Sequence, residues 1–329
     1  IYRLNSGNGN GSGTISLSGN YPYTNCGAPT SVTCSTSIGK PGQNITVSWS
    51  GAKAGTNNSI QSYTVFYAYG STPTTSSSYK TVSTKATSGS TTIPISSSRG
   101  VVTYVKVRTN GSASGYNSAI SSASGSCTTN SLPNSPSFTV SRGSILPSTG
   151  GSISYNVTAG SDSNSSQTKT LYYSRNNGTT KTKFTSPLTL NYSGAQGETF
   201  YTYFYTYDGL EYSNAIGTTA TINTKPTCSL SVSTTKYNYN NSTYDGTFNL
   251  TATTNKSIKT FYYYIIINGN SKSLGSNSTG TLTVNPFSQG ATPGSSFYFQ
   301  VRVNDGVEYS NYATSSTYTI PNTFNISTS

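Results

Sequence analysis

The residues of this chain best suited to acid–base chemistry or metal binding are four acids in two short segments. Asp208 and Glu211 lie in the sequence DGLE, and Asp305 and Glu308 lie in DGVE. Paired carboxylates can supply the acid and the base of a glycoside hydrolase. Here the pair recurs at the same place in consecutive similar segments, whereas an active site is rarely duplicated in that way. We therefore interpret these acids as structural.

The same acidic segments could offer oxygen ligands to calcium, which takes about six to eight of them. Two acids per segment are few for such a cation, and the corresponding segment from Thr109, TNGSASGYNSAI, has no acid. The sequence therefore predicts no metal site and no other cofactor.

The chain contains no histidine. Ser-His-Asp and Cys-His catalytic arrangements, and metal sites that need histidine, are excluded by that absence. With the acids interpreted as structural, we expect that the chain is not an enzyme and has no catalytic residue.

The composition predicts an all-β protein. Of 329 residues only 8% are charged and 32% hydrophobic, but 28 Tyr and 11 Phe supply large apolar surfaces. Thr, Tyr and Val suit a pleated sheet, and short alternating runs recur where no apolar stripe at helical spacing is found.

A repeat of 97 residues organises these strands. Tyr104, Tyr201 and Tyr298 lie in similar strands at that spacing, and each strand is followed by a turn and a further strand. The pairs Asp208-Gly209 and Asp305-Gly306 suit a tight hairpin that needs positive φ. A unit of this length matches an independently folding β-sandwich.

The first repeat resembles fibronectin type III domains. The segments NITVSWSGA with Trp49, IQSYTVFYAY, and TYVKVRT with Tyr104 are similar to the strand-B tryptophan, strand-C tyrosine pattern and strand-F tyrosine of that family. The similarity covers residues 28–127 and is partial afterwards, because the later repeats lack the tryptophan. We expect Tyr155 and Leu250 in its place. The resemblance implies a tandem array of about three seven-stranded fibronectin-III or Ig-like β-sandwiches.

The predicted domain boundaries follow from the repeat and from proline-containing linkers. They are residues 1–27 for the end of a preceding unit and a linker, 28–130, 131–224 and 225–320 for the three sandwiches, and 321–329 for the start of a further domain or a tail.

The four cysteines do not make a disulfide framework. Cys34 and Cys228 are 194 residues apart, twice the repeat, which predicts equivalent positions on opening strands. Cys26 and Cys127 are expected at opposite ends of the first sandwich, too far apart to bond. A Cys34–Cys127 bond is geometrically conceivable, so the redox compartment stays open.

Charge and hydropathy limit the partners. The net charge is +12, but the 19 basic residues are scattered singly, which disfavours nucleic-acid binding. No run of apolar residues is long enough for a membrane span. Tyrosine-rich strands could present rings to a cell-surface glycan, although core and sheet surface are the favoured interpretation of those residues.

The chain is therefore interpreted as a structural or adhesive component located in a virion or outside the cell. Its Ser/Thr/Asn/Tyr-rich tandem repeats ending in DGxEYSN resemble those of bacteriophage tail, fibre and capsid-decorating proteins. That resemblance implies other virion or surface proteins as partners, in a homo-oligomer or a larger assembly. The alternatives are a bacterial adhesin stalk or extracellular filament subunit, and a non-catalytic spacer of a secreted polysaccharide hydrolase.

Overall fold

The computed structural model describes residues 22–176, 179–234, 238–240 and 243–320. Of the segments predicted to belong to neighbouring units, residues 1–27 and 321–329, all but 22–27 lie outside this described part. Within it the chain forms 26 strands and a single 3-10 helix, Phe287–Gln289. The predicted fold class, all-β with tandem sandwiches, is confirmed. In the described residues, no helix has the length and apolar character to cross a membrane.

The first sandwich pairs a three-stranded sheet with a five-stranded one. The sheet orders are β1-β3-β6 and β2-β8-β7-β4-β5. Its strands are β1 (Ser31–Cys34), β2 (Ile38–Gly39), β3 (Asn44–Ser50), β4 (Ile60–Tyr69), β5 (Ser78–Val82), β6 (Gly89–Pro94), β7 (Val102–Gly111) and β8 (Gly125–Thr129).

The second sandwich repeats this plan, with sheet orders β14-β11-β9 and β10-β16-β15-β12-β13. Its strands are β9 (Ser137–Val140), β10 (Ile145–Leu146), β11 (Gly151–Thr158), β12 (Thr170–Arg175), β13 (Thr182–Phe184), β14 (Leu188–Tyr192), β15 (Thr199–Tyr207) and β16 (Ile216–Ile222).

The third sandwich has the sheet β17-β20-β23 and the sheet β22-β21-β24-β25, in which β26 also pairs with β24; β18 and β19 form a separate hairpin. The strands are β17 (Ser229–Thr234), β18 (Asn238–Asn240), β19 (Thr243–Asp245), β20 (Phe248–Thr253), β21 (Thr260–Ile267), β22 (Asn270–Asn277), β23 (Thr281–Val284), β24 (Ser296–Asn304), β25 (Ala313–Thr314) and β26 (Tyr318–Thr319).

The first two sandwiches contain eight strands each, one more than predicted. The extra strand arises because the opening segment changes sheets: β1 pairs antiparallel with β3, and the two-residue β2 then pairs parallel with β8. Strands β9 and β10 do the same against β11 and β16. The parallel pairing fixes the last residues of each of these sandwiches, including Asn130 and Asn223, whose N–H groups bond to Gly39 O and Leu146 O.

Each sandwich has its own hydrophobic core between its two sheets. Along β3, β11 and β24, buried residues alternate with half-buried or exposed ones, which places one side of each strand in the core. The largest fully buried side chains are aromatic and aliphatic: Tyr63, Tyr155, Tyr192, Tyr263, Phe204, Phe248, Phe261, Phe297, Phe299, Ile45, Ile93 and Ile95.

The expected replacements for Trp49 are wrong by one inward-facing position. Trp49 is the second-last residue of β3 and pairs with the second residue of β1. The residues at that register in the later sandwiches are Val157 and Ala252. Tyr155 and Leu250 lie two residues earlier on the same buried face. Because alternate residues share a face, the apolar pattern alone could not distinguish the two positions.

By contact density the chain divides into two compact units. Among the described residues, the first unit comprises 22–133 with 161–168 and 208–212, and the second comprises 134–160, 169–207 and 213–320.

Candidate functional site

The first acidic turn follows β15 and is organised by one carboxylate oxygen. Asp208 Oδ1 accepts hydrogen bonds from the backbone N–H groups of Leu210 and Glu211, both at 2.7 Å. Gly209 has φ 99°, a conformation that glycine adopts without a steric penalty. The other carboxylate oxygen, Oδ2, is left to face outward from the turn.

The second acidic turn follows β24 and has the same geometry. Asp305 Oδ1 accepts from the N–H groups of Val307 and Glu308, both at 3.0 Å, and Gly306 has φ 91°. The two predicted Asp-Gly pairs are thus tight turns with positive φ at the glycine.

In the first compact unit, a buried asparagine binds this turn. Asn130 Nδ2 donates to Asp208 Oδ2 and to Glu211 Oε2, both at 2.9 Å. Asn130 and Asp208 are 0% and 2% exposed. The asparagine is held by the strand pairing at the end of β8, since its N–H donates to Gly39 O at 2.7 Å. We call Asn130, Asp208 and Glu211 the first cluster.

In the second compact unit, the same arrangement is built from different residues. Asn223 Nδ2 donates to Asp305 Oδ2 at 2.9 Å and to Glu308 Oε1 at 3.0 Å. Its own N–H donates to Leu146 O at 2.8 Å. Glu308 also accepts from the N–H and the hydroxyl of Ser148, both at 2.7 Å. We call Asn223, Asp305 and Glu308 the second cluster.

The two clusters differ in the cation that accompanies them. Arg99 binds Glu211 in a bidentate pair, with Nη1–Oε2 at 2.7 Å and Nη2–Oε1 at 2.9 Å. In the second cluster Lys256 Nζ lies 3.2 Å from Asp305 Oδ2 and donates to Asn223 Oδ1 at 3.0 Å. Arg99 therefore contacts the glutamate and, at 3.2 Å, the backbone carbonyl of Asn130, whereas Lys256 contacts the aspartate and the side-chain oxygen of the asparagine.

One carboxylate of each cluster, Glu211 in the first and Asp305 in the second, is held in its charged form by the groups around it. The hydrogen bonds from Arg99 hold the pKa of Glu211 below its usual value, against the opposing effect of burial. Burial by itself would raise the pKa of Asp305, but hydrogen bonds from Asn223, two backbone N–H groups and Lys256 keep it below the usual value. The carboxylates are thus occupied as hydrogen-bond acceptors.

The asparagines were missed by the sequence interpretation, although a signal exists. Each begins a segment with proline three residues later, NSLP from Asn130 and NTKP from Asn223, just after the last strand of a sandwich. In the described part of the chain, no group of three or more His, Cys, Asp or Glu residues is arranged to hold a metal ion.

The other residues singled out from the sequence lie outside the clusters. Trp49 is 2% exposed and packs against Tyr63, with ring centroids 5.0 Å apart. Tyr104, Tyr201 and Tyr298 all lie on the side of their strands that alternates with the core residues, and Tyr201 is 49% exposed. The core tyrosines are therefore other ones.

All four cysteines are free thiols. Cys34 is the last residue of β1, whereas Cys228 precedes β17, so the predicted equivalence of these two positions is wrong. The reason is that the sandwiches differ in length between the opening strand and the strand that carries the repeat: β7 begins 71 residues after the start of β1, whereas β24 begins 67 residues after the start of β17. Cys26 and Cys127 are both buried in the first core.

An aromatic group covers the outer face of β21 and β24. The guanidinium carbon of Arg302 lies 4.1 Å from the ring centroid of Tyr309 and 5.1 Å from that of Tyr312. Tyr262 and Tyr264 pack edge-on against these two rings. The faces of the Tyr309 and Tyr312 rings are thus occupied by Arg302 in cation–π contacts on the sheet surface.

Comparisons with known proteins find similarity in structure only. No family model matches the chain, and no curated protein matches it. A solved structure of the FN1–FN3 domains of chicken CNTN1 is 10% identical, covers 90% of this chain and 99% of its own, and has a TM-score of 0.32. A structure from a 1.5-MDa bacterial ice-binding adhesin, described for its host cell surface retention, is 14% identical over 90% and 99%, with a TM-score of 0.45.

Proposed function

We propose that this chain is a non-catalytic structural or adhesive component of a surface assembly, in which β-sandwiches serve as serial spacers. The observation that carries the proposal is the repeated cluster. Twice, the asparagine after the last strand of one sandwich binds the acidic turn of the next sandwich along the chain. A spacer must transmit force or position through its joints, and buried charge-assisted hydrogen bonds are suited to that.

The setting of this assembly is either a virion or a cell surface. A phage tail, fibre or capsid-decorating protein is the interpretation that the repeat sequence suggested, and an adhesin stalk or extracellular filament is the alternative. In both, the partners are other proteins of the same assembly. Intact-mass and proteomic analysis of the native source separates them: we expect the protein with capsid and portal proteins in the first case and in the washed cell-envelope fraction in the second.

The structural role of the clusters can be tested in the full chain by exchanging donor and acceptor. Asp305→Asn keeps Oδ1, which organises the turn, but places an N–H₂ group against Asn223 Nδ2 and Lys256. We expect this variant to unfold with lower cooperativity in calorimetry. The triple variant Asn223→Asp, Asp305→Asn, Glu308→Gln reverses these roles, so that a carboxylate at position 223 accepts from amide groups at positions 305 and 308. It should therefore recover part of the lost cooperativity.

A matched control is Glu198→Gln, which changes an exposed carboxylate of the second sandwich outside both clusters. It should leave the calorimetric profile unchanged. The proposal would be contradicted by purification of the native protein as a component of a soluble enzyme complex, or by wild-type cooperativity in Asp305→Asn.

A further inference from the structure

The two clusters differ at one atom, the side-chain oxygen of the asparagine. In the second cluster Asn223 Oδ1 accepts from Lys256 Nζ at 3.0 Å. In the first cluster Asn130 Oδ1 is buried and has no hydrogen-bond partner among the described residues. A buried carbonyl oxygen without a partner is destabilising, so it calls for an explanation.

The orientation of this oxygen is fixed by the carboxylates. Both N–H bonds of the Asn130 amide are used, since Nδ2 donates to Asp208 Oδ2 and Glu211 Oε2. Turning the amide over would place Oδ1 against two negative charges. Asn130 Oδ1 therefore occupies the position that Asn223 Oδ1 has in the second cluster. There the oxygen accepts a hydrogen bond from the ammonium group of Lys256.

The lysine that fills this position has no counterpart in the second sandwich. Lys256 lies three residues after Thr253, the last residue of β20, and the residue three positions after Thr158, the last residue of β11, is Ser161. The nearby cation Arg99 is engaged with both oxygens of Glu211 instead. The buried Asp208 carboxylate is thus without the lysine contact that Asp305 has.

The segment 161–168 of the same compact unit contacts the residue that follows Asn130 and contains further oxygens. Asn164 Oδ1 accepts from the N–H of Ser131, the residue after Asn130, and Asn164 N–H donates to Asp162 Oδ1, both at 2.8 Å. Asp162 Oδ2 and Gln167 Oε1 are buried and have no hydrogen-bond partner in the described part of the chain. All the unpartnered atoms of this region are oxygens, as ligands of calcium are.

We propose that the first cluster binds a calcium ion, which takes the place that the ammonium group of Lys256 has in the second cluster. Asn130 Oδ1 and Asp208 Oδ2 are its central ligands, and the segment 161–168 supplies further oxygens. Calcium is favoured over magnesium because it accepts neutral amide oxygens in irregular geometry, whereas magnesium demands a near-ideal octahedron. The same arrangement of asparagine and acidic turn is thus completed by a lysine in the second cluster and by a calcium ion in the first.

The test is calcium binding to the full chain after treatment with a chelator. Isothermal titration calorimetry should show one calcium ion per chain, and calcium should raise the Tm because it binds the folded state alone. Asp208→Asn retains Oδ1 for the turn but loses the ligand charge, and we expect it to weaken calcium binding on the order of tenfold or more.

Two reciprocal variants distinguish a calcium ion from a water molecule bound at the same position. Ser161→Lys supplies the missing ammonium group at an exposed position, so it should abolish calcium binding without lowering the Tm. Lys256→Ser should create a second calcium site, which raises the stoichiometry to two. Glu198→Gln should bind calcium as the wild type does.

The inference is overturned if the wild-type chain binds no calcium, or if Asp208→Asn and Ser161→Lys bind it as tightly as the wild type. A response to potassium or sodium equal to that of calcium would also overturn it. These outcomes leave the proposed spacer function untouched, because its own test concerns the second cluster, where Lys256 supplies the cation.

Discussion

At the residue scale, the core of the second sandwich contains a chain of three hydroxyl groups. Tyr155 Oη and Tyr192 Oη are 2.7 Å apart, and Tyr192 Oη is 2.9 Å from Thr202 Oγ1. All three side chains are buried. The middle hydroxyl belongs to Tyr192 and is a hydrogen-bond partner of both others. The three hydroxyl groups therefore do not contribute equally to the free energy of unfolding.

Removal of the middle hydroxyl should therefore cost more than removal of an end. Tyr192→Phe leaves the hydroxyls of Tyr155 and Thr202 without this partner, and we expect a loss of about 2–3 kcal/mol in the free energy of unfolding. Tyr155→Phe leaves the Tyr192–Thr202 bond intact and should cost about 1 kcal/mol. Urea denaturation of both variants measures the difference, and equal losses would contradict this account.

The cysteine thiols should be unreactive in the folded chain. Burial, together with the neighbouring Cys127, raises the pKa of Cys34 to about 11, and burial also raises the pKa values of Cys127 and Cys228. Because the thiolate is the reactive form, we expect slow reaction of these three with Ellman's reagent at pH 8 and rapid reaction in urea. Fast labelling of Cys34 in the native protein would show this to be wrong.

At the element scale, β3 and β6 can approach because β6 begins with a glycine. A Cβ atom on Gly89 would lie 2.6 Å from Cζ2 of Trp49. Trp49 also packs against Tyr63, with ring centroids 5.0 Å apart, which limits how far the indole can move away from β6. The only tryptophan of the chain thus depends on a residue without a side chain opposite it.

Gly89→Ala should destabilise the first sandwich by about 1–3 kcal/mol, although alanine is otherwise the better residue in a strand. The tryptophan fluorescence should report this unfolding directly, since Trp49 is the single tryptophan. Gly143→Ala is the control, because no atom lies within 4 Å of a Cβ at that position. An unchanged midpoint in Gly89→Ala would mean that the ring can shift.

The strands could be predicted from sequence, but the register and the clusters could not. The alternation in NITVSWS is visible and places Trp49 inside. Which residue replaces it later depends on where β1, β9 and β17 pair, and alternation repeats every two residues. The acidic turns were visible as Asp-Gly pairs, whereas their partners Asn130 and Asn223 are asparagines in a chain rich in asparagine. The proline three residues after each of them is a sequence signal, but it becomes specific only once the ends of β8 and β16 are known.

At the scale of the whole molecule, the negative charge is concentrated. The chain has seven acidic residues, and Asp208, Glu211, Asp305 and Glu308 make up the acids of the two clusters. The chain has no histidine and only three further acids, so few other side chains titrate between neutral and acid pH. The acid sensitivity of the protein should therefore report the clusters themselves.

The sign of that sensitivity follows from the pKa shifts. The pKa values of Glu211 and Asp305 are lower in the folded chain than their ordinary values of 4.5 and 3.8. Such groups add stability above the pKa of the unfolded state, and this contribution is lost as the pH falls through the folded pKa. We expect the Tm to be steady from pH 7 to about 5 and to fall below it.

The variant Asp305→Asn separates this effect from general charge repulsion, which also grows in acid because the net charge is already +12. It should have a lower Tm at pH 7 and a smaller further loss between pH 5 and about 3, since its side chain does not titrate. Glu198→Gln, which removes a carboxylate outside the clusters, should keep the wild-type slope. If all three proteins lose the same number of degrees, repulsion across the whole molecule, and not protonation of the second cluster, governs acid unfolding.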